Sequence, residues 1–209
     1  VNDPGRPEVA DIAFSDLTRA DFALLGSWLA APHVARWWRE PADRASLEAT
    51  YGPSIDRTEP GRCFLVRSTG RPVGLVQCYR LADYPDWQRA LAPARVPTDG
   101  AGIDYLLGPA DLIGIGLGPV VIDRFVESVW SRYPEVPAVV ASVAQANRRS
   151  WRALEKAGFT RRWSGTVVSE DPSDAGPSHV YQRDRDPAGR DLARAAGRAA
   201  VSPRAPGPG

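Results

Sequence analysis

Methionine is absent from this sequence, and lysine occurs once, as Lys156. Two cysteines, Cys63 and Cys78, are too few for a disulfide framework, and no C-x-x-C pair offers a metal site. With His33 and His179 as the only histidines, the usual zinc donor sets cannot be assembled. No apolar run approaches the roughly 20 residues of a membrane span. No basic-then-apolar leader opens the chain. The formal net charge of +1 leaves no electrostatic footprint for nucleic acid. These absences predict a cytoplasmic protein with no metal, no membrane and no nucleic-acid partner.

What is present is enough for one domain. A chain of 209 residues, 43% of them apolar, can bury about 70% of its unfolded surface. Residues 1–9 are polar and are expected to be loose. Residues 184–209 carry five Arg and three Asp with almost no large apolar side chain. Such a segment cannot bury enough surface to order itself, and disorder is expected there. The folded domain is therefore placed at residues 10–183.

Hydrophobic periodicity supplies the elements. Strands are expected at Ala10–Phe14, Cys63–Arg67, Val73–Leu81, Ile103–Leu107, Val136–Val143, Phe159–Val168 and Ser178–Arg183. Thr18 and Asp21 have capping-box spacing ahead of Phe22, Leu25 and Leu29, and Pro32 is expected to end that helix. A second helix is expected over Pro41–Thr50. Leu117, Val121, Phe125 and Val129 share one helical face, widened by Ile122, Val126 and Trp130. Asn147 can cap a helix that runs to Ala157 and stops at Gly158. Residues 82–101 read as a long loop carrying Trp87 among acidic side chains, a length usually reserved for function.

Gly114-Ile115-Gly116-Leu117-Gly118 stands between the strand Ile103–Leu107 and the helix that follows. Alternating glycines at such a junction bring main-chain N–H groups to the positive end of a helix, which suits a phosphate. By itself the run is equally a tight turn that packs a helix on a strand. It lacks the spacing of a dinucleotide fingerprint and the lysine of a nucleoside-triphosphate loop.

A second segment narrows the reading. Asn147-Arg-Arg-Ser-Trp-Arg-Ala-Leu-Glu155-Lys156-Ala157-Gly158-Phe159 follows the next strand. With the glycine run before it, the chain resembles the GNAT acyltransferases. Their common marks are a glycine-rich pyrophosphate loop opening a helix, then an N-x-x-(A/S)-x-x-x-x-E-K-x-G-F segment. Within that superfamily it looks most like aminoglycoside 6'-N-acetyltransferases. Trp28-Leu29 with His33-Val34-Ala35-Arg36-Trp37-Trp38, Asp86-Trp87, and Gly102-Ile103-Asp104 carry that closer resemblance.

The resemblance implies an α/β (α+β) fold: a mixed, mostly antiparallel sheet of about six to seven strands with helices on both faces. It implies acetyl-CoA as co-substrate, held by Leu106, Ile113, Gly114, Gly116, Leu117, Gly118 and Asn147. It implies a small-molecule primary amine as acceptor, the 6'-amine of an aminoglycoside, bound by Trp38, Asp86, Trp87, Asp104 and Asp174. Transfer would be direct, by a monomer or homodimer. Acylation of a siderophore-type lysine derivative or another small amine is the alternative chemistry. A GNAT-like protein that binds acyl-CoA or antibiotic without turnover is the alternative class.

Asp104 has two readings from the residues, and the Gly102-Ile103-Asp104 resemblance favours the functional one. A carboxylate near the apolar end of a buried strand either meets a cation or bears a desolvation cost. Beside a substrate ammonium it would orient the amine and accept its proton; otherwise it is a turn-side Asp satisfied by main-chain N–H groups. Acidic residues cluster at Asp83, Asp86, Asp99 and Asp104, and again at Glu170, Asp171 and Asp174, as a polycationic ligand requires. Asn147 serves either as helix cap or as donor contact, and His33 is expected to be a structural hydrogen-bonding histidine. Three positions depart from the family pattern. Asp111 stands where relatives have Gln or Arg, Ser142 where relatives have Asp, and Leu154 where many have a Tyr general acid. Either the thiol leaves unassisted, or another group such as Tyr105 or Tyr181 serves.

Overall fold

A computed structural model describes residues 11–169 and 171–186. The expectations for residues 1–9, for Glu170 and for the tail beyond Asp186 lie outside the described residues. Seven strands form one sheet in the order β1-β2-β3-β4-β5-β7-β6. They span Ile12–Asp16 (β1), Arg62–Ser68 (β2), Arg71–Arg80 (β3), Ala101–Leu107 (β4), Ala138–Ala144 (β5), Thr160–Val167 (β6) and Gly176–Asp184 (β7). Every neighbouring pair is antiparallel except β4 and β5.

The β4–β5 pair is parallel and brief. Ala101 pairs with Val139 and Gly102 with Val140; beyond Gly102 the two strands share no further pair. β4 stays paired with β3 along its whole length, and β5 with β7. The sheet therefore opens into a notch between Ile103–Leu107 and the second half of β5. The hydrogen bonds of β4 show which groups face that notch. The Leu81 N–H donates to the Gly100 carbonyl at 2.9 Å, and the Gly108 N–H donates to the Val73 carbonyl at 3.0 Å. With continuous register between those points, the even-numbered residues turn their main-chain groups to β3. Ile103, Tyr105 and Leu107 turn theirs to the notch.

Six helices flank the sheet: Phe22–Leu29 (α1), Pro32–Trp38 (α2), Arg44–Asp56 (α3), Pro85–Ala90 (α4), Leu117–Arg132 (α5) and Arg148–Lys156 (α6). On one face, the α5 stripe of Val121, Ile122, Phe125, Val126, Val129 and Trp130 is at most 7% exposed, and it packs on Ile103, Val139 and Ala141. Burying each such side chain stabilises by about 1.5–3 kcal/mol. On the other face, α1, α2 and α3 cover Cys63, Leu65, Leu75 and Leu106. A smaller cluster of Leu81, Leu91, Ala94, Val140 and Val180 lies under the segment after β3.

Three expectations are corrected. Pro32 opens α2 rather than only closing α1, because a helix's first residue needs no N–H partner. The helix placed at Pro41–Thr50 runs instead from Arg44 to Asp56, since Asp43 is its cap and accepts from Ala45 and Ser46 N–H at 3.1 and 3.0 Å. The long segment 82–101 is not plain loop: it holds α4 and two short 3-10 turns.

The tryptophan–histidine motif of the N-terminal helices acts at the far end of β4. The Trp28 indole lies where a side chain on Gly108 would sit, 2.1 Å from an ideal Cβ. His33 Nε2 is 2.9 Å from the Gly108 carbonyl oxygen. Together they fix the chain as it leaves β4 for the glycine run. Gly108→Ala is expected to destabilise the protein by about 1–3 kcal/mol through this overlap, read as a lower urea midpoint at unchanged slope.

Candidate active site

The glycine run forms the turn into α5. Gly114 and Gly116 have φ of 86° and 92°, a region that any other residue enters under strain. No atom lies within 4 Å of an added Cβ at either position. Both glycines therefore face open space with bare backbone. The first amides of α5 have no intrahelical acceptors, and Gly116, its N-cap residue, offers no side-chain acceptor in their place. Leu117 is buried and anchors the run; Ile113 and Gly118 are half-buried on either side. Asp111, just before the run, pairs with Arg71 of β3 at 3.5 Å.

One expected donor contact, Leu106, is placed differently, and Asn147 takes the helix-cap role that its sequence position also allows. Leu106 has its side chain in the core beneath α1–α3, and its carbonyl oxygen is turned to β3, 2.2 Å from an ideal Cβ on Gly74. The neighbouring Tyr105 and Leu107 present main-chain groups to the notch instead. Asn147 caps α6, accepting from the Ser150 N–H at 3.3 Å.

On the α1–α3 face the notch is flanked by a cleft of about 780 Å³. Asp104, Asp86, Trp87 and Asp174 all line it, so β4, α4 and the turn before β7 bring four of the five expected acceptor residues together. Acidic side chains from Glu59, Asp83, Asp86, Asp104, Asp171 and Asp174 face two arginines, Arg62 and Arg89. Arg89 pairs with Asp86, and Arg80 pairs with Asp83 at 3.0 Å. Trp87, Tyr79 and Tyr84 supply aromatic wall.

Asp104 is partly buried at the floor. Burial raises its pKa far above the ordinary carboxylate value, and the negative charges of Asp174, Glu40 and Asp171 raise it further. The Tyr79 hydroxyl opposes the rise. Gly102 makes that contact possible: the Tyr79 ring crosses it, 2.3 Å from an ideal Cβ. Asp174 is raised for the same reasons, burial first and then Asp171.

Trp38 is not among the residues that line the cleft. Its indole N–H donates to the Tyr51 hydroxyl at 3.2 Å, and Tyr51 donates to Glu40 at 2.7 Å. The Trp38 carbonyl accepts from the Ser173 hydroxyl, and the Arg39 guanidinium donates to the Pro172 carbonyl at 2.9 Å. Trp38 thus tethers the acidic turn before β7 to the end of α2. Glu40 was not anticipated from the sequence. Burial, with Asp171 and Asp174 nearby, pushes its carboxyl up to about 7. An acid immediately after Trp37-Trp38-Arg39 was its only local signal.

Tyr105 and Tyr181 differ in their surroundings. Leu154 is fully buried in the core under the sheet. Tyr181 is buried and donates to Glu155 at 2.9 Å. Tyr105 lies beside the notch, its hydroxyl 2.7 Å from Ser150 Oγ. Ser142 lies on β5, partly buried, opposite Val180.

The family model for an acetyltransferase (GNAT) domain matches residues 18–166. The chain belongs to the GNAT acetyltransferases. It is 32% identical over 160 residues to an aminoglycoside N(6')-acetyltransferase type 1 of Klebsiella pneumoniae, covering 74% of this chain and 76% of that one. A protein of the same name from Serratia marcescens matches equally. Crystal structures of the aminoglycoside acetyltransferase AAC(6')-Ib, with coenzyme A or with coenzyme A and kanamycin, superpose at a TM-score of 0.72 and 28% identity. Those superpositions cover 87% of this chain and 99% of the other. In this acetyltransferase no described helix is long and apolar enough to cross a membrane. No group of three or more His, Cys, Asp or Glu among the described residues could hold a metal ion.

The acid cluster makes stability depend on pH. Between 4.5, its ordinary value, and about 7, folded Glu40 holds a proton that the unfolded chain releases. Stability therefore falls as pH rises through that window. The urea midpoint of the ligand-free protein is expected to drop from about pH 5 to about pH 8, and Glu40→Gln to flatten that slope. An equally steep slope in the variant would assign the dependence elsewhere.

Proposed function

We propose that this acetyltransferase moves an acetyl group from acetyl-CoA to a primary amine of a polycation, the 6'-amine of an aminoglycoside. The observation that carries the acceptor reading is the cleft, which gathers five further carboxylates and three aromatic rings around Asp104 beside the notch. The domain responsible is read as residues 10–183. The glycine run, bare at Gly114 and Gly116, and the unpaired edge of β4 fit the donor. The amides of Ile113, Gly114, Gly116, Leu117 and Gly118 would hold the pyrophosphate. The main-chain groups of Ile103, Tyr105 and Leu107 would pair with the pantetheine arm. Acetyl-CoA supplies an acyl group already activated as a thioester.

The chain's own groups do the rest. Asp104 receives the substrate ammonium, orients it and takes its proton as the amine attacks. Its raised affinity for protons suits it to that exchange near neutral pH. Asp174, Asp86 and Trp87 would read the remaining amines and a sugar face. The leaving thiol, with an ordinary pKa near 8.5, departs as thiolate without obligatory help. Tyr105 keeps its proton because burial raises its pKa, and it lies beside the notch as a group that would donate one to the thiolate. Burial pushes the Cys63 and Cys78 thiols up to about 11 and about 12, so neither is a nucleophile for a covalent route.

Thiol release from acetyl-CoA tests the reading. Kanamycin-type acceptors are expected to turn over and their 6'-hydroxy counterparts are not. The absence of a carboxylate at Ser142 favours a second reading, acylation of a different small amine. Turnover with plain amines alone would establish it, and coenzyme A binding without release would establish a non-catalytic role. Asp104→Asn is expected to lower kcat/KM by about 10²-fold or more. An unchanged kcat at neutral pH would remove Asp104 as the proton acceptor.

A further inference from the structure

We propose that Arg71, on β3, is the cation that meets the pyrophosphate of the donor, and that it offsets the charge of Asp111. This rests on reading the glycine run as a coenzyme A site. The run itself brings dipoles but no charge: residues 113–118 contain no cationic side chain. The position three residues before Gly114 is Asp111, whose charge has the wrong sign for a neighbour of phosphate. The compensating charge comes from across the sheet.

The geometry places Arg71 there. β3 and β4 run antiparallel with Gly74 opposite Leu107, so the start of β3 lies beside the chain that leaves β4. The Gly108 N–H donation to Val73 extends the pairing one residue further toward Arg71. Asp111 sits in the 3-10 turn Ala110–Leu112 that leads directly into the glycine run. Both terminal nitrogens of Arg71 approach a single oxygen, Asp111 Oδ2, each at 3.5 Å. That is the outer limit of a hydrogen bond, well short of the close two-point pairing of which a guanidinium is capable.

Both side chains are exposed, at 59% and 64%, and among the described residues Asp111 is the only acid paired with Arg71. The guanidinium is therefore loosely held and keeps donors to spare, since it has five N–H groups and a planar fork suited to phosphate. It can bridge Asp111 and a phosphate oxygen together. In that arrangement the carboxylate is neutralised by the same group that attracts the anion, which explains how an acid is tolerated at this place.

Binding of coenzyme A and of pantetheine, which lacks the pyrophosphate, tests this on the full chain by calorimetry. Arg71→Gln is expected to weaken coenzyme A about tenfold, to reduce the salt dependence of binding, and to leave pantetheine unchanged. Arg71→Lys should recover part of the loss. Asp111→Asn should change little in the wild type. In the Arg71→Gln background it should restore affinity, because it removes an uncompensated negative charge. Equal coenzyme A affinity in wild type and Arg71→Gln would overturn the proposal while leaving the donor reading intact. Equal losses for both ligands would show a structural role only. No coenzyme A binding by the wild type would defeat the donor reading, and the proposal with it.

Discussion

The arrangement depends on one interrupted pairing: β4 and β5 share two residue pairs and then separate. A buried strand edge left without partners is costly, because each unpaired main-chain group has lost its water. β4 and β5 cannot close the gap themselves. β4 is held to β3 along its length, and β5 is held to β7 from Ala138 to Ala144. The sheet thus consists of two fully paired halves joined at Ala101–Gly102. α5 packs across the joint, with Ile103 and Val139 in one core cluster with its apolar stripe. The notch is kept open by its paired surroundings, and in the proposed function an extended ligand pairing with Ile103, Tyr105 and Leu107 would complete the sheet.

That same strand divides the chemistry. Side chains alternate across β4, so Tyr105 turns to α6 while Asp104 turns to the cleft. In the proposed function the glycine run's amides would draw the anionic donor, and the carboxylates of the flanking cleft would draw a cationic acceptor, so that the two would meet beside β4. Trp28 and His33 belong to this logic although they touch neither ligand site. By holding Gly108 they fix the direction in which the chain leaves β4, and so the position of the glycine run.

Long-period features were legible in the sequence, and short or three-dimensional ones were not. The α5 stripe declares itself through seven apolar positions at helical spacing, and all of them are buried. The glycine run was readable because φ values near 90° leave almost no alternative residue. α2 and α4, with seven and six residues, are too short to show a period, and each begins at a proline that also reads as a break. Glu40 had no pattern at all. Its importance comes from Tyr51 one helix away and from Asp171 and Asp174 far along the chain. Gly102 was recognised as part of a motif, but its reason, the Tyr79 ring lying across it, belongs to a neighbouring strand.

The raised proton affinity of Asp104 ties recognition to chemistry in the proposed function. In the empty cleft, burial and three neighbouring acids favour its neutral form. A polycation reverses both the field and its sign, since each ammonium offsets a carboxylate that was repelling the others. The charged form of Asp104 is then favoured only when a multiply cationic acceptor is in place. A singly charged amine relieves less of the repulsion, so it leaves the proton acceptor partly occupied by its own proton. Discrimination for polycations would thus reach the chemical step as well as binding, without any contact specific to one sugar.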